Sequence, residues 1–246
     1  MKLISLNIEC NRHDDVALSF LKRENADVVC IQEFLEDKFE FYKNELGLEG
    51  VFQVTNYADI LIYKELAEKR EGLAIFAKNI IESESMFYAG KEENALISFD
   101  KHLEYLHSDN FRANHTLLCA SVQDDGKIFK FITTQLPVTI EGAVTSYQLE
   151  VIDNLLLKLD NLGEFVLCGD FNAPRGYESF SRFSEKYKDN IPAEYKTSID
   201  QNLHRVKGIQ FMVDSLFTTP TYKASNVKLV DGVSDHMAIV SDIIKI

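Results

Sequence analysis

The sequence predicts an α/β protein in which two β-sheets are flanked by helices. In the first 50 residues, apolar runs of strand length alternate with stretches of helical periodicity. The longest helical pattern, 140–162, leads into another buried strand, and residues 80–135 contain short alternating runs typical of an antiparallel sheet. The 246 residues carry no repeat or low-complexity linker, so we expect a single domain over 1–246.

The N-terminal half is predicted to alternate strands and helices. Residues 2–8 alternate apolar and polar side chains, and Asp14 and Asp15 are typical of the first turn of a helix. Gly47 is expected to end a second helix, and the charged stretch 64–70 to be a turn or short helix. Strands are predicted at 2–8, 28–31, 51–55, 59–63 and 71–78, and helices at 13–24 and 34–46.

The C-terminal half is predicted to contain mostly strands and one long helix. An Asp-Asp-Gly turn at 124–126 predicts a hairpin that joins 116–122 to 127–135. The stretch 101–115 holds three histidines without zinc spacing and is interpreted as a loop. Further strands are expected at 95–99, 164–168, 209–217, 228–230 and 237–244, helices at 140–162 and 176–188, and a loop at 189–208.

Composition limits the location and the partners of the chain. A net charge of −13 and a pI of about 4.9 disfavour tight, non-specific binding to nucleic acid. A nuclease is still compatible with this charge, because a metal ion neutralises an acidic site locally. We expect no membrane span, a cytoplasmic location, and four reduced core cysteines, since long apolar stretches, a signal-peptide pattern and CxxC spacing are absent from the sequence.

The segment Gly169-Asp170-Phe171-Asn172 places two polar side chains at the end of a predicted strand. It follows a buried strand, and Asp170 and Asn172 point to the same side of an extended chain because they are two residues apart. An aspartate can bind a metal or accept a proton from water, and an asparagine can orient that water or a phosphate oxygen. An Asx turn that closes the strand explains these residues equally well, so the segment alone does not decide.

Polar side chains also lie at the ends of several other predicted strands. The set comprises Asn7, Glu33, the pair Asp170 and Asn172, Asp214, and the pair Asp235 and His236. Two sheets flanked by helices would bring these ends to one rim. Carboxylate and amide oxygens at such a rim suit Mg²⁺ or Mn²⁺, and a histidine there is the natural proton carrier near neutral pH.

The order and spacing of four motifs resemble the endonuclease/exonuclease/phosphatase superfamily, which has the deoxyribonuclease-I-like fold. These motifs are Leu6-Asn7, Ile31-Gln32-Glu33, Gly169-Asp170-Phe171-Asn172 and Ser234-Asp235-His236. The resemblance covers essentially the whole chain. It implies a four-layer α/β sandwich, with two mainly antiparallel β-sheets packed face to face and helices outside, and Mg²⁺-dependent hydrolysis of a phosphoester.

The resemblance also implies which residues hold the metal. Glu33 matches the principal metal ligand of the family, and Asn7 lies beside it in the family pattern. Asp235 matches a ligand of the metal or a partner of the histidine. Glu71 and Arg112 match less specific positions.

Catalytic roles are implied in the same way. Asp170 matches the residue that activates or orients the attacking water, and Asn172 the amide that orients water and phosphate. His236 matches the histidine that stabilises the pentacovalent state at phosphorus, and Asp214 matches an aspartate that precedes hydrophobic strand residues. Gln135 departs from the family, which has His or Tyr at this position, and a glutamine cannot transfer a proton.

These features predict a metal-dependent phosphodiesterase or nuclease that acts by attack of water on phosphorus. The expected partner is a phosphodiester substrate, with nucleic acid among the candidates, because the motifs of inositol phosphatases and abasic-site endonucleases are absent from the sequence. The alternative is a family member that binds a phosphorylated ligand or partner without efficient turnover. Gln135 favours this alternative, whereas the matches at Glu33, Asp170 and His236 oppose it.

Overall fold

Two six-stranded β-sheets form the framework of the protein. The computed structural model describes residues 1–58, 64–106 and 113–246. The described strands are β1 Lys2–Asn7, β2 Val28–Leu35, β3 Glu49–Tyr57, β4 Arg70–Ala77, β5 Ile80–Ala89, β6 His115–Asp124, β7 Lys127–Gln135, β8 Val166–Asp170, β9 Lys188–Asp189, β10 Asp214–Thr218, β11 Tyr222–Val230 and β12 Ala238–Lys245. Their order is β11-β12-β1-β2-β4-β3 in the first sheet and β5-β6-β7-β8-β10-β9 in the second.

The described helices lie between these strands in the chain. The α-helices are α1 Asp14–Glu24, α2 Phe39–Leu46, α3 Glu92–Ala95, α4 Phe99–Leu106, α5 Ser146–Leu159 and α6 Glu178–Ser184. Short 3₁₀ turns occur at Glu36–Lys38, Lys64–Leu66 and Ile140–Gly142. Within the described part of the chain, no helix combines the length and the apolar character that crossing a bilayer requires.

The hydrophobic core has three layers, because successive strand residues face opposite sides of a sheet. Leu3 points between the two sheets, where it belongs to a buried cluster with Phe131 and Cys168. Its neighbour Ile4 points outward and packs in a second cluster with Phe20 of α1. A third cluster lies between the second sheet and the helices α5 and α6. This arrangement confirms the predicted four-layer sandwich.

The pairing directions bring the strand ends of the predicted site together. β1 pairs with β2, and β7 with β8, in parallel, whereas the other pairings between described strands are antiparallel. Parallel neighbours end at the same edge of a sheet. The side chain of Gln32 donates a hydrogen bond across the sandwich to Thr133 Oγ1 (2.7 Å), so the two edges lie against each other.

Several element boundaries differ from the predictions because tertiary contacts override local periodicity. The run 95–99 forms no strand: Ala95 ends α3, Phe99 begins α4, and Phe99 contacts Tyr57 edge-on at 5.3 Å. The predicted strand 59–63 lies outside the described residues, as do residues 107–112 of the predicted loop 101–115. The start of that loop prediction is wrong, because residues 101–106 belong to α4.

The helices α2 and α5 begin later than predicted, and β10 is shorter. Residues 34–35 continue β2, so α2 starts at Phe39. Thr145 accepts a hydrogen bond from Gln148 N (3.1 Å) and thereby caps α5, after a residue with positive φ, Glu141, has interrupted the helical pattern. The predicted strand 209–217 starts only at Asp214, while β11 begins well before the predicted strand 228–230. β5 forms within the stretch 80–135, whose short runs predicted an antiparallel sheet.

We predict that Gly169→Ala lowers the free energy of unfolding by about 3 kcal/mol or more. Gly169 has φ of 145°, and a Cβ added to it would lie 2.0 Å from the backbone oxygen of Thr134 on the neighbouring strand. Urea unfolding measures the loss. Gly163→Ala is the matched control, because Gly163 also has positive φ (72°) but open space around its Cβ position, and its loss should be about 1–2 kcal/mol. Equal losses in the two variants would contradict the steric argument.

Candidate active site

A hydrogen-bond network joins the two sheets where β1, β7 and β8 end and where β2 carries Glu33. Asn7 Nδ2 donates to Glu33 Oε1 (2.9 Å) and to Asp170 Oδ2 (3.1 Å). Gln135 Nε2 donates to the same Glu33 oxygen at 2.6 Å. Four residues that lie far apart in the sequence therefore share one network. Their positions at strand ends predict that Asn7, Glu33 and Asp170 meet, whereas Gln135 is singled out by the family resemblance.

A β-bulge directs Glu33 into this network. Glu33 has φ of 53°, and the pairing of β2 with β4 shifts register between Ile31 and Phe34. Bulges commonly re-aim a side chain next to an active site. Here the bulge leaves Gln32 buried between the sheets and turns Glu33 to the rim, although β2 continues past both residues.

Asp170 is held by donors from its own segment as well as by Asn7. Its Oδ1 accepts from the backbone N of Asn172 (2.9 Å), and its Oδ2 accepts from Asn172 Nδ2 (3.2 Å). Asn172 has φ of 43° and also donates from Nδ2 to Leu136 O at 2.9 Å. The Asx turn considered as the alternative for this segment is therefore present, and the same turn fixes the Asp170 carboxylate at the rim.

His236 forms a buried ion pair with Asp214. Its Nδ1 lies 2.8 Å from Asp214 Oδ2, and both side chains are less than one tenth exposed. Asp214 begins β10 and is the register partner of Asp170 in β8, which brings the imidazole close to the Asp170 carboxylate. Asp235, the preceding residue in the chain, is also buried.

Burial and mutual repulsion shift the pKa values of these groups. Burial raises the pKa of Asp170 to about 7, opposed by His236 and reinforced by Asp214. Burial likewise raises the pKa of Asp235 to about 6, although His236 opposes the shift. Burial favours neutral His236, but the carboxylates of Asp214 and Asp170 outweigh it and raise the pKa of His236 well above its ordinary value.

A second acidic group lies against Glu33. Cys10 Sγ donates to Glu71 Oε2 (2.8 Å), and these atoms lie within 4.8 Å of a Glu33 carboxylate oxygen. Burial and the neighbouring carboxylates of Glu71 and Glu33 raise the pKa of the Cys10 thiol far above its usual range. Cys10, Cys30, Cys119 and Cys168 are unpaired and buried, in agreement with their predicted place in the core. Arg112 lies outside the described residues.

The donor set fits a hard divalent cation. Glu33, Asp170 and Asp235 supply carboxylate oxygens, and Glu33 raises the pKa of both aspartates, a repulsion that a cation would relieve. Asn7 presents its amide nitrogen to the carboxylates, while its Oδ1 accepts from Glu9 N at 3.0 Å. In this arrangement the Asn7 amide nitrogen orients Glu33 and Asp170.

His204 reaches the site from a loop without any sequence signal. Its Nε2 lies 4.0 Å from Asp235 Oδ2, and its ring is 6.5 Å from that of His236. Asp200 holds the loop: its Oδ1 accepts from the backbone of residues 202 and 203, and its Oδ2 accepts from Gly232 N. No motif of the sequence marks His204, because it lies in the predicted loop 189–208.

A cleft of about 820 Å³ opens from the rim. Its lining includes the predicted residues Glu33, Gln135, Asp170, Asn172, Asp235 and His236. Asn7 and Asp214 lie behind this surface, and each is hydrogen-bonded to a residue that reaches it. The structure thus brings all eight predicted site residues into one neighbourhood.

Comparison with known proteins identifies the family. Residues 4–231 match the sequence model of the Endonuclease/Exonuclease/phosphatase family. The chain belongs to this family. Its members hydrolyse phosphoesters and generally use divalent metal ions, so the chemistry of the rim is interpreted in those terms. No curated protein sequence matches the chain significantly.

Solved structures share the fold of this family member. An endonuclease/exonuclease/phosphatase from Bacteroides vulgatus has a TM-score of 0.71 at 17% identity and covers 100% of this chain and 98% of its own. The human Nocturnin catalytic domain with bound sulfate has a TM-score of 0.71 at 15% identity, with coverages of 100% and 93%. The mannosyl-6-phosphatase from Bacteroides thetaiotaomicron has a TM-score of 0.67 at 13% identity, with coverages of 99% and 99%. At these identities the similarity establishes the fold.

Proposed function

We propose that this family member is a divalent-metal-dependent phosphodiesterase. The observation that carries the proposal is the position of Asp170 between the Glu33 carboxylate and the His236–Asp214 pair. On one side the Asn7 amide links it to Glu33, and on the other side lies the His236–Asp214 pair. A base, an acidic cation site and a positively charged imidazole then converge on one cleft, as hydrolysis of a phosphoester requires.

Each group has a role in the proposed reaction. Glu33 and Asp235 would hold Mg²⁺ or Mn²⁺, and the bound ion would polarise a phosphoryl oxygen and neutralise negative charge. Asp170 accepts a proton from the attacking water, and Asn172 fixes the orientation of Asp170 and of the phosphate. Imidazolium His236 donates to the phosphoryl oxygen that gains charge at the transition state.

The charges that line the cleft favour a diester over a monoester. A monoester dianion needs more positive charge than a diester monoanion. Arg205 is the single Lys or Arg among the described residues that line the cleft. The catalytic domain of human Nocturnin, which has this fold, binds a sulfate, so the fold can accommodate an oxyanion. The mannosyl-6-phosphatase from Bacteroides thetaiotaomicron is an example of a monoester hydrolase with the same fold.

Hydrolysis of bis-p-nitrophenyl phosphate, compared with p-nitrophenyl phosphate, tests the proposal. We expect turnover of the diester with Mg²⁺ or Mn²⁺ and its loss in excess EDTA. Full activity in EDTA would refute the role of the metal, and turnover of the monoester alone would make the protein a phosphatase. Absence of any turnover would favour the alternative, a member of the family that binds phosphorylated ligands.

Gln135 is expected to tune the metal site rather than transfer a proton. Its amide donates to Glu33 Oε1, so Gln135→Ala should raise the Mg²⁺ concentration for half-maximal activity about 10–100-fold, as loss of a neighbour that orients a ligand does. Titration of activity and calorimetric binding of Mn²⁺ measure the effect. Gln123→Ala, at an exposed position on β6, is the control. An increase in kcat of about 10²-fold in Gln135→His would instead indicate that a proton-transfer group is missing.

A further inference from the structure

We infer that the substrate is a small phosphodiester with an uncharged, apolar group of the size of an aromatic ring, and that this group binds beside Asn172. The binding surface, called the apolar wall here, consists of five residues that line the cleft: Leu136, Val138, Ile199, Ile209 and Phe211. Leu136 and Ile199 are almost fully buried, so its accessible part comes from Val138, Ile209 and Phe211. The inference rests on the proposed function, because the wall is assigned to the ester group of a phosphate bound at the rim.

The apolar wall is attached directly to the segment that carries the catalytic groups. Asn172 Nδ2 donates to Leu136 O (2.9 Å), and Phe171 N donates to Val213 O (2.9 Å), two residues after Phe211. The two parts of the wall thus flank the Asp170–Asn172 segment. A group bound on the wall would therefore lie beside the segment that carries Asp170 and Asn172.

Hydrogen bonds also hold the backbone that carries the wall in place. The buried side chain of Gln148 donates to Pro137 O (3.1 Å) and Asn172 O (2.9 Å). Phe211 accepts a backbone hydrogen bond from Ser198 N (3.0 Å), and its ring meets Tyr177 edge-on at 6.4 Å. A preformed apolar surface binds an apolar group without a cost for ordering its own side chains.

Charges near the wall oppose a polyanion. Glu141 is the charged side chain of the segment 136–142, and it is exposed where the cleft opens. Arg175, which follows the catalytic segment, is paired with Asp189 at 2.7 Å and does not line the cleft. A nucleic-acid strand needs a row of Lys and Arg for its successive phosphates, whereas the described lining of the cleft offers apolar surface, acids and a single arginine, Arg205.

The apolar surface continues outward onto exposed residues. Val138 and Ile140 are 79% and 87% exposed, and they follow Leu136 in the same segment. Apolar side chains grouped beside a cleft commonly mark a binding surface. The cleft volume of about 820 Å³ lies within the range for small-molecule sites. We therefore assign the wall to a small ester rather than to a polymer.

Calorimetric binding of two non-hydrolysable probes in Mg²⁺ buffer tests the inference. Methyl(phenyl)phosphinate, the phenyl probe, and dimethylphosphinate, the methyl probe, have the same singly charged group and only P–C bonds, and they differ in the ring. We expect the phenyl probe to bind wild-type protein about tenfold or more tightly, from the apolar area that the ring buries. Equal affinity, binding of neither probe, or tighter binding of a single-stranded oligonucleotide than of the phenyl probe would overturn the inference.

Variants locate the effect on the wall. Phe211→Ala should reduce the affinity for the phenyl probe about fivefold or more and leave the methyl probe unchanged. Val138→Ser should reduce the affinity for the phenyl probe about threefold without unfolding the protein, because Val138 is 79% exposed. Val206→Ser is the control and should have no effect, because Val206 is an exposed valine that does not line the cleft. An unchanged phenyl affinity in Val138→Ser and in folded Phe211→Ala would contradict the assignment.

Because these probes report binding alone, failure of the proposed function is distinguishable from failure of the inference. If the protein preferred the phenyl probe but hydrolysed no diester, the assignment of the apolar wall would stand and the proposed hydrolase activity would be refuted. Turnover of diesters without a preference for the ring would do the reverse.

Discussion

Replacement of Asp170 by Asn is expected to lower kcat on bis-p-nitrophenyl phosphate by about 10²–10⁴-fold, the usual cost of losing a general base. The amide keeps the size of the side chain and can accept from Asn172 N, as Asp170 Oδ1 does at 2.9 Å. It cannot accept a proton from water. Steady-state kinetics and urea unfolding, measured together, separate a chemical effect from a loss of fold.

The dependence of the rate on pH gives an independent test of Asp170. Burial raises its pKa to about 7 in the metal-free protein, so below that pH the side chain carries a proton and cannot accept another. Activity at limiting metal should therefore fall as the pH is lowered through about 7. A bound cation favours the carboxylate, so saturating Mg²⁺ should move this fall to lower pH.

Asp153→Asn is the matched control for Asp170→Asn. Asp153 lies on the exposed surface of α5, where it pairs with Arg182 at 3.1 Å. Its replacement should leave kcat unchanged. Wild-type kinetics in a folded Asp170→Asn variant would remove Asp170 from the proposed reaction.

Replacement of His236 by Ala is expected to lower kcat by about 10²–10³-fold, because the transition state loses a charged donor. The same change leaves Asp214 buried without its 2.8 Å partner, and breaking a buried pair in this way typically costs about 3–5 kcal/mol of stability. Kinetics and urea unfolding would both change, so the two effects need separation.

The double variant Asp214→Asn/His236→Ala provides that separation. It removes the buried charge of Asp214 together with its partner, so it should recover much of the lost stability while kcat remains low. Recovery of kcat along with stability would mean that His236 supports the fold and takes no part in the reaction. If the double variant were as unstable as His236→Ala, the lost stability would not come from the unpaired charge of Asp214.

The prediction of the fold succeeded where one local pattern was sufficient. The alternation of residues 2–8, the buried strand before Gly169 and the turn at 124–126 depend on chain periodicity and on turn geometry. The prediction failed where contacts from other elements decided. Residues 95–99 form the end of one helix and the start of another beside Tyr57, whose hydroxyl donates to Ile97 O (3.0 Å).

The candidate site divides in the same way. By itself, the sequence determined the types of the site residues and their order along the chain. The parallel pairing of β1 with β2 places Asn7 and Glu33 near one edge of the first sheet, and that of β7 with β8 places Gln135 and Asp170 at one edge of the second. Only the tertiary structure decided what each group faces. The bulge at Glu33, the approach of His204 and the apolar wall depend on contacts between segments far apart in the chain, which no local pattern of residues encodes.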